Sequence, residues 1–173
     1  MRKQELDVIN PMRKIRIQKV VLSAGAKDDF LIKSKKLLDL LSGRKSQVIA
    51  SKKRIPEFDV RPGLEVGTKV TLRGEKATEL IKRLLGAIEN TIKEEQISEN
   101  HFSFGIKEYI EIPGMEYQRD IGIRGLNATV VFERMGARVI KKKIKMGRLP
   151  KKQRVTKSEI IQYMGEEFKT LIK

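Results

Sequence analysis

Residues 138 to 154, RVIKKKIKMGRLPKKQR, hold nine Lys or Arg and no Asp or Glu. The chemistry open to such a segment is phosphate binding. Lysine offers a compact point charge and arginine a planar fork of donors, and both displace counterions from a polyanion. The candidate phosphate contacts are Arg138, Lys141, Lys142, Lys143, Lys145, Arg148, Lys151, Lys152 and Arg154. This stretch alone contributes +9 to a chain whose net charge is +16. A surface evolved only for solubility would mix both signs at a smaller net value, so charge gathered in this way points to a nucleic-acid partner.

Catalytic chemistry has little to work with. There is one histidine, His101, and no cysteine, so disulfides and thiolate metal sites are excluded. Asp28-Asp29 and Glu94-Glu95 are paired acids that a metal-dependent nuclease could use, but each pair falls at an expected helix end, where capping or solvation explains it. Gly43-Arg44-Lys45-Ser46 fails as a phosphate loop, because Arg44 separates the glycine from the lysine and Leu38 stands where an earlier glycine is needed. Gly122-Ile123-Arg124-Gly125 matches a short glycine clamp but leads into a strand, so a plain turn is expected. The reading is therefore of a non-enzyme with no cofactor and no metal. Zinc-finger, basic-zipper and aromatic-strand patterns are also missing, and nine aromatics are too few for base stacking to dominate. Backbone contacts to a structured RNA fit better. The charged N-terminus and the lack of a run of about 18 apolar residues imply no signal peptide, no membrane span and a cytoplasmic location.

The elements that must position these residues follow from periodicity. IRIQKVVL (15–22) reads as a strand with Ile15, Ile17 and Val21 on one side and Arg16 and Gln18 on the other. Residues 28–43 read as a helix capped by Asp28, with Phe30, Leu37, Leu38 and Leu41 as its inward stripe and Gly43 as its stop. A short strand at 47–51 precedes a long loop in which Pro56 and Pro62 forbid a central strand. TKVTLR (68–73) alternates, with Val70 and Leu72 facing in and Lys69, Thr71 and Arg73 facing out. A helix over 75–93 has apolar residues at 77, 80, 81, 84, 85, 88 and 92. Strands follow at 103–110 and 128–133. Thr156-Lys157-Ser158-Glu159 is a capping box opening a last helix with Ile161, Met164, Phe168 and Leu171 or Ile172 inward. The order β-α-β-β-α-β-β-α predicts one α+β domain over 1–173, an antiparallel or mixed sheet with helices on one face. The basic segment lies between a strand and a capped helix, so it is an arm, expected to order on its RNA and not to trail as a tail.

Several long motifs carry a family resemblance. Phe58-Asp59-Val60-Arg61-Pro62-Gly63 and Val66-Gly67-Thr68-Lys69-Val70-Thr71-Leu72-Arg73-Gly74-Glu75 resemble the signature of large-subunit ribosomal protein family five, the 5S rRNA-binding protein. Ser103 to Glu108 and Asp120 to Asn127 resemble its next segments, and the likeness runs from about Asn10 to the C-terminus. The basic insertion before the capped helix resembles the archaeal and eukaryotic type, and the proline-rich loop its archaeal side. The resemblance implies a structural protein of the cytoplasmic ribosome that helps anchor 5S rRNA in the central protuberance. It implies as partners 5S rRNA, large-subunit rRNA, P-site tRNA at the long loop, the other 5S rRNA-binding ribosomal protein, and a small-subunit head protein across a bridge. Its 5S rRNA contacts fall on Ser23, Arg44, Phe58 and Thr71, to which the polar strand face adds Lys69 and Arg73. Ser23 and Arg44 stand where the family commonly has asparagine and glutamine. Lys52, Lys53, Arg54, Ile55 and Pro56 at the start of the loop are the candidates for tRNA or nearby rRNA. The competing readings are a general nucleic-acid architectural protein and, behind it, an RNA nuclease.

Overall fold

The computed structural model describes residues 11–173, and the expectations that rest on residues 1–10 lie outside the described residues. The chain forms β1 (Ile15–Gly25), α1 (Asp28–Ser42), β2 (Gln47–Ala50), β3 (Glu65–Leu72), α2 (Glu75–Ala87), β4 (Thr91–Ile92), β5 (Ile97–Ser98), β6 (His101–Ile106), β7 (Leu126–Arg134), α3 (Arg138–Lys141), α4 (Lys157–Phe168) and β8 (Leu171–Ile172). Six strands make one sheet in the order β2-β3-β1-β7-β6-β5, and every pairing in it is antiparallel. β4 and β8 form a separate parallel pair. The expected α+β architecture is the one observed.

One face of the sheet is dry. Val20, Leu22 and Ala24 of β1, Val70 and Leu72 of β3, Phe102, Phe104 and Ile106 of β6, and Ala128, Val130 and Phe132 of β7 are all buried. They share one hydrophobic core with Leu37, Leu38 and Leu41 of α1, Leu80, Ile81, Leu84 and Leu85 of α2, and Ile160 and Met164 of α4. Each fully buried aliphatic side chain contributes roughly 1.5–3 kcal/mol. Phe132 is the keystone of the far end: its ring stacks on Phe102 at 5.8 Å and meets Tyr163 of α4 edge-on at 5.6 Å.

Several expectations are corrected. The register of β1 on β7 shifts between Ile17 and Lys19, so a bulge restarts the alternation. Ile15 and Ile17 pack on the core before it, and Val20 and Leu22 do so after it. Val21, expected beside Ile17, therefore turns outward. Phe30 is 58% exposed and lies under the guanidinium of Arg124 at 4.2 Å, while Leu31 and Ser34 take the inward positions. Asp28 makes no side-chain cap, although it and Asp29 still occupy the first turn, where the helix dipole favours acids. Gly43 does end the helix in the left-handed conformation, its N–H donating to the Asp39 carbonyl. The second helix stops at Ala87 because Glu89 and Asn90 adopt positive φ, and Ile92 is buried from β4 instead of from a helix. The strand expected over 103–110 ends at Ile106, and Tyr109–Glu111 turn as a 3-10 helix. In α4 the capping box forms as expected, but Ile160 is the fully buried residue, Ile161 only partly so, and Leu171 is exposed on β8.

Because Phe132 joins β6, β7 and α4, Phe132→Ala should lower unfolding stability by about 3–5 kcal/mol in urea titrations. A loss below about 1 kcal/mol would mean that α4 is held some other way.

Candidate nucleic-acid interface

The other face of the large sheet carries small polar and cationic side chains. Residues opposite one another in the ladder share a face, so the register assembles this surface. Ser23 sits opposite both Lys69 and Asn127, and Val21 opposite both Thr71 and Thr129. Gln47 of β2 faces Lys69, and Ser103 of β6 faces Thr129, their hydroxyls 3.0 Å apart. Lys19 flanks this row one position below Val21. Thus Ser23, Lys69 and Thr71, expected to act together, do lie side by side. Arg73 falls one residue beyond the end of β3 and is exposed. Lys19, Asn127, Thr129 and Ser103 belong to the same face and were not singled out from the sequence. The alternation of Asn127 and Thr129 with buried Leu126, Ala128 and Val130 is the signal that would have found them.

The long loop is an extension of the β2–β3 hairpin. Ser51 and Leu64 continue the ladder, with the Ser51 N–H on the Leu64 carbonyl and the Gly63 N–H on the Ser51 carbonyl, both at 2.8 Å. Ile55 and Val60 close its tip as an isolated bridge around the 3-10 turn Pro56–Phe58. Lys52, Lys53, Arg54, Ile55 and Pro56 are exposed on this projection, and Phe58 is 63% exposed at its end. Val60, and not Phe58, is the apolar residue buried there. Arg44 is exposed in the turn after α1, its backbone held by the Ser42 hydroxyl.

The basic arm begins over the outer face of the sheet. Glu133, on that face of β7, accepts hydrogen bonds from Arg16 of β1 at 2.6 Å and from Lys141 of α3 at 2.7 Å. Together α3 and the sheet leave a half-open cavity of about 280 Å³, lined in part by Gln18, Val131, Glu133, Ile140 and Leu149. The Gln153 side-chain amide donates to the Met135 carbonyl at 3.2 Å, fixing the return of the arm. Lys141 is thus engaged with Glu133, and Arg154 lies 3.5 Å from Glu99. Among the described residues, Arg138, Lys142, Lys143, Lys145, Arg148, Lys151 and Lys152 pair with no acid, and all are exposed. The arm thus departs from the same face of the sheet that carries Ser23, Lys69 and Thr71.

Of the residues weighed for catalysis, His101 faces Val131 in the ladder and so shares this open face with Ser103. His101 opens β6 and is exposed, its Nδ1 lying 3.1 Å from the Glu99 carbonyl oxygen. Glu94 pairs with Lys157 at 2.9 Å. Among the described residues no group of three or more His, Asp and Glu comes together, and no helix is long and apolar enough to cross a membrane.

A sheet covered on one face only, with a cationic open face, a basic hairpin and a basic arm, is the build of a nucleic-acid-binding structural protein. Residues 65–163 match the model of the ribosomal L5 family C-terminus. The chain is 44% identical to large ribosomal subunit protein uL5 of Nanoarchaeum equitans, over 91% of this chain and 95% of that protein. It is 40% identical to uL5 of Methanosphaera stadtmanae, covering 95% and 99% of the two chains, and 38% identical to uL5 of Sulfurisphaera tokodaii, covering 97% of each. The chain belongs to the ribosomal L5 family. It is a structural, non-enzymatic ribosomal protein of archaeal type, associated with rRNA in the cytoplasmic ribosome.

Two carboxylates anchor the arm, and both are acidified. Burial is the largest influence on Glu133 and opposes ionisation, but the hydrogen bonds and charges of Lys141 and Arg16 together outweigh it and lower its pKa. Burial likewise opposes ionisation of Glu159, and the Thr156 backbone N–H and Arg134 together outweigh it. A carboxylate whose pKa is lower folded than unfolded adds stability that is complete above its unfolded pKa and is lost as pH falls through the folded value. Melting temperature should accordingly drop below about pH 4.5, and Glu133→Gln should give a shallower drop than the parent. An identical acid profile in the variant would show that Glu133 is not held by its two cations.

Proposed function

We propose that this protein binds 5S rRNA within the large ribosomal subunit and helps to anchor it in the central protuberance. The observation that carries the reading is the juxtaposition of Ser23, Lys69 and Thr71 on one open sheet face that also lies on the side of the arm. Hydroxyls set between ammonium groups suit an RNA backbone, where phosphate oxygens and 2′-hydroxyls alternate. Asn127 and Thr129 extend the same surface with an amide and a hydroxyl. Arg44 and Arg73 supply further cations at its margin, and Phe58 offers an aromatic face from the hairpin.

The hairpin 51–64 reaches towards P-site tRNA in this reading, with Lys52, Lys53 and Arg54 against phosphates and Ile55 and Pro56 at the tip. Its support is the projection itself: paired strands hold a cationic end away from the core. The unpaired cations of the arm meet large-subunit rRNA. Protein neighbours are the other 5S rRNA-binding ribosomal protein and, across a bridge, a protein of the small-subunit head. The whole chain acts as one domain.

Footprinting on isolated 5S rRNA should give one bounded protected region, and affinity should fall with salt at a log–log slope of roughly −4 to −5. Thr71→Ala and Phe58→Ala should each weaken 5S rRNA binding about 5- to 20-fold, as loss of one polar contact or one stacking contact does, without changing the melting temperature. Unchanged affinity in both would reject these site residues. Equal affinity for duplex DNA at matched salt would favour a general architectural protein. Amide exchange at 142–146 should slow when rRNA is added, and no change would remove the idea that the arm orders on RNA.

A further inference from the structure

The arm is not purely cationic. Apolar residues interrupt its charges, and two of them stand furthest into solvent: Ile144 is 78% exposed and Met146 is 70% exposed. They flank Lys145, whose φ of +54° is a left-handed conformation that side chains other than glycine rarely adopt. The loop that carries them is closed. The Gly147 N–H donates to the Val139 carbonyl at 3.2 Å, and a Cβ on Gly147 would come within 2.6 Å of Val139 Cγ1. A side chain at 147 would have to displace Val139 where the loop returns to its own stem. At the stem, Lys141 is tied to Glu133. A fixed stem, a close approach at the neck and a strained residue at the tip together hold two bare apolar side chains outward.

We propose that Ile144 and Met146 form an apolar wedge that packs against an unpaired or unstacked base of rRNA, while Lys142, Lys143 and Lys145 hold the adjacent phosphates. This rests on the rRNA-binding reading of the arm and adds to it a contact with bases. Charge complementarity selects the occupant. The segment 138–154 has nine cations and no acid, so whatever covers the tip is a polyanion. The parts of a polyanionic RNA that an isoleucine or a methionine can cover are base faces and sugar edges. A helix with every base stacked offers no such face, so the wedge selects a bulge, a loop or an opened step. The arm then recognises RNA structure, which a run of lysines alone does not do.

The test uses the full chain with two sets of changes, Ile144→Ser with Met146→Ser, and Lys142→Gln with Lys143→Gln and Lys145→Gln. All five side chains are exposed, so melting temperatures should match the parent. Binding to 5S rRNA and to protein-free large-subunit rRNA is measured across a salt series, with chemical probing of base reactivity. The apolar changes should weaken binding to one of these RNAs about tenfold at every salt concentration without altering the slope. They should also restore the reactivity of a base that the parent protects. The lysine changes should instead make the slope shallower by about 2 to 3. If the apolar changes leave affinity and reactivity as in the parent while the lysine changes weaken binding, the wedge is wrong and the arm is an electrostatic strap. If neither set matters, the wedge fails together with the assignment of the arm to rRNA. If the apolar changes spare RNA binding but release a ribosomal protein from reconstituted particles, the tip meets protein and the inference is overturned.

Discussion

The structure depends on a sheet that buries one face and leaves the other open. Strand geometry alternates side chains with a period of two, so a register error of a single residue would exchange the faces. In β1 the core takes Ile15 and Ile17 and then Val20, Leu22 and Ala24, which no unbroken alternation allows. The bulge between Ile17 and Lys19 supplies the extra residue. It keeps Lys19 and Ser23 outward and Val20 and Leu22 inward along the central strand of the sheet. The outer surface inherits its composition from that constraint: inward positions must be apolar, and outward ones are free to be Ser, Thr, Asn and Lys.

The end of β7 turns this alternation into an anchor for the arm. Glu133 and Arg134 are consecutive and therefore project to opposite faces. Glu133 meets Arg16 and Lys141 on the outer face, where the arm departs. Arg134 is buried on the inner face and pairs with Glu159 in the first turn of α4, just after the arm returns. Glu159 is also the acid of the capping box and accepts from the Thr156 N–H at 2.9 Å. The arm is therefore bracketed by two ion pairs on adjacent residues, one on each side of the sheet. A strongly cationic chain needs such acids, because its own charges otherwise drive the arm away from the domain.

Much of the fold could be read from the sequence where local periodicity and burial agree. Val70 and Leu72 alternate with Lys69 and Thr71, and the stripe from Ala77 to Leu85 follows the helical period, so each face was legible. Gly43 and the Thr156–Glu159 box mark their helix ends by chemistry that acts locally. The misreadings arise where a distant partner decides. Phe30 has the spacing of a core residue, but Arg124, far along the chain, takes it as a cation–π partner in the open. Ile92 fits the stripe of α2, yet the positive φ of Glu89 and Asn90 releases the chain to pair with Ile172. The bulge leaves no mark in composition. At the interface, the polar face of β3 and the cationic arm were visible because charge and alternation are local. The alternation of Asn127 and Thr129 in β7 was as local but passed over, whereas the engagement of Lys141 with Glu133 was not legible, since it requires the arm to fold back over the sheet.

If the protein binds 5S rRNA as proposed, the RNA lies against the open sheet face and not against the helices. A photo-crosslinking residue placed at Thr129, in the middle of that face, and another at Glu79, exposed on α2, compare the two sides within the intact protein. Irradiation with 5S rRNA should join RNA to position 129 and leave position 79 free. Crosslinks that form at 79 and not at 129 would place the RNA on the helical side and contradict the account.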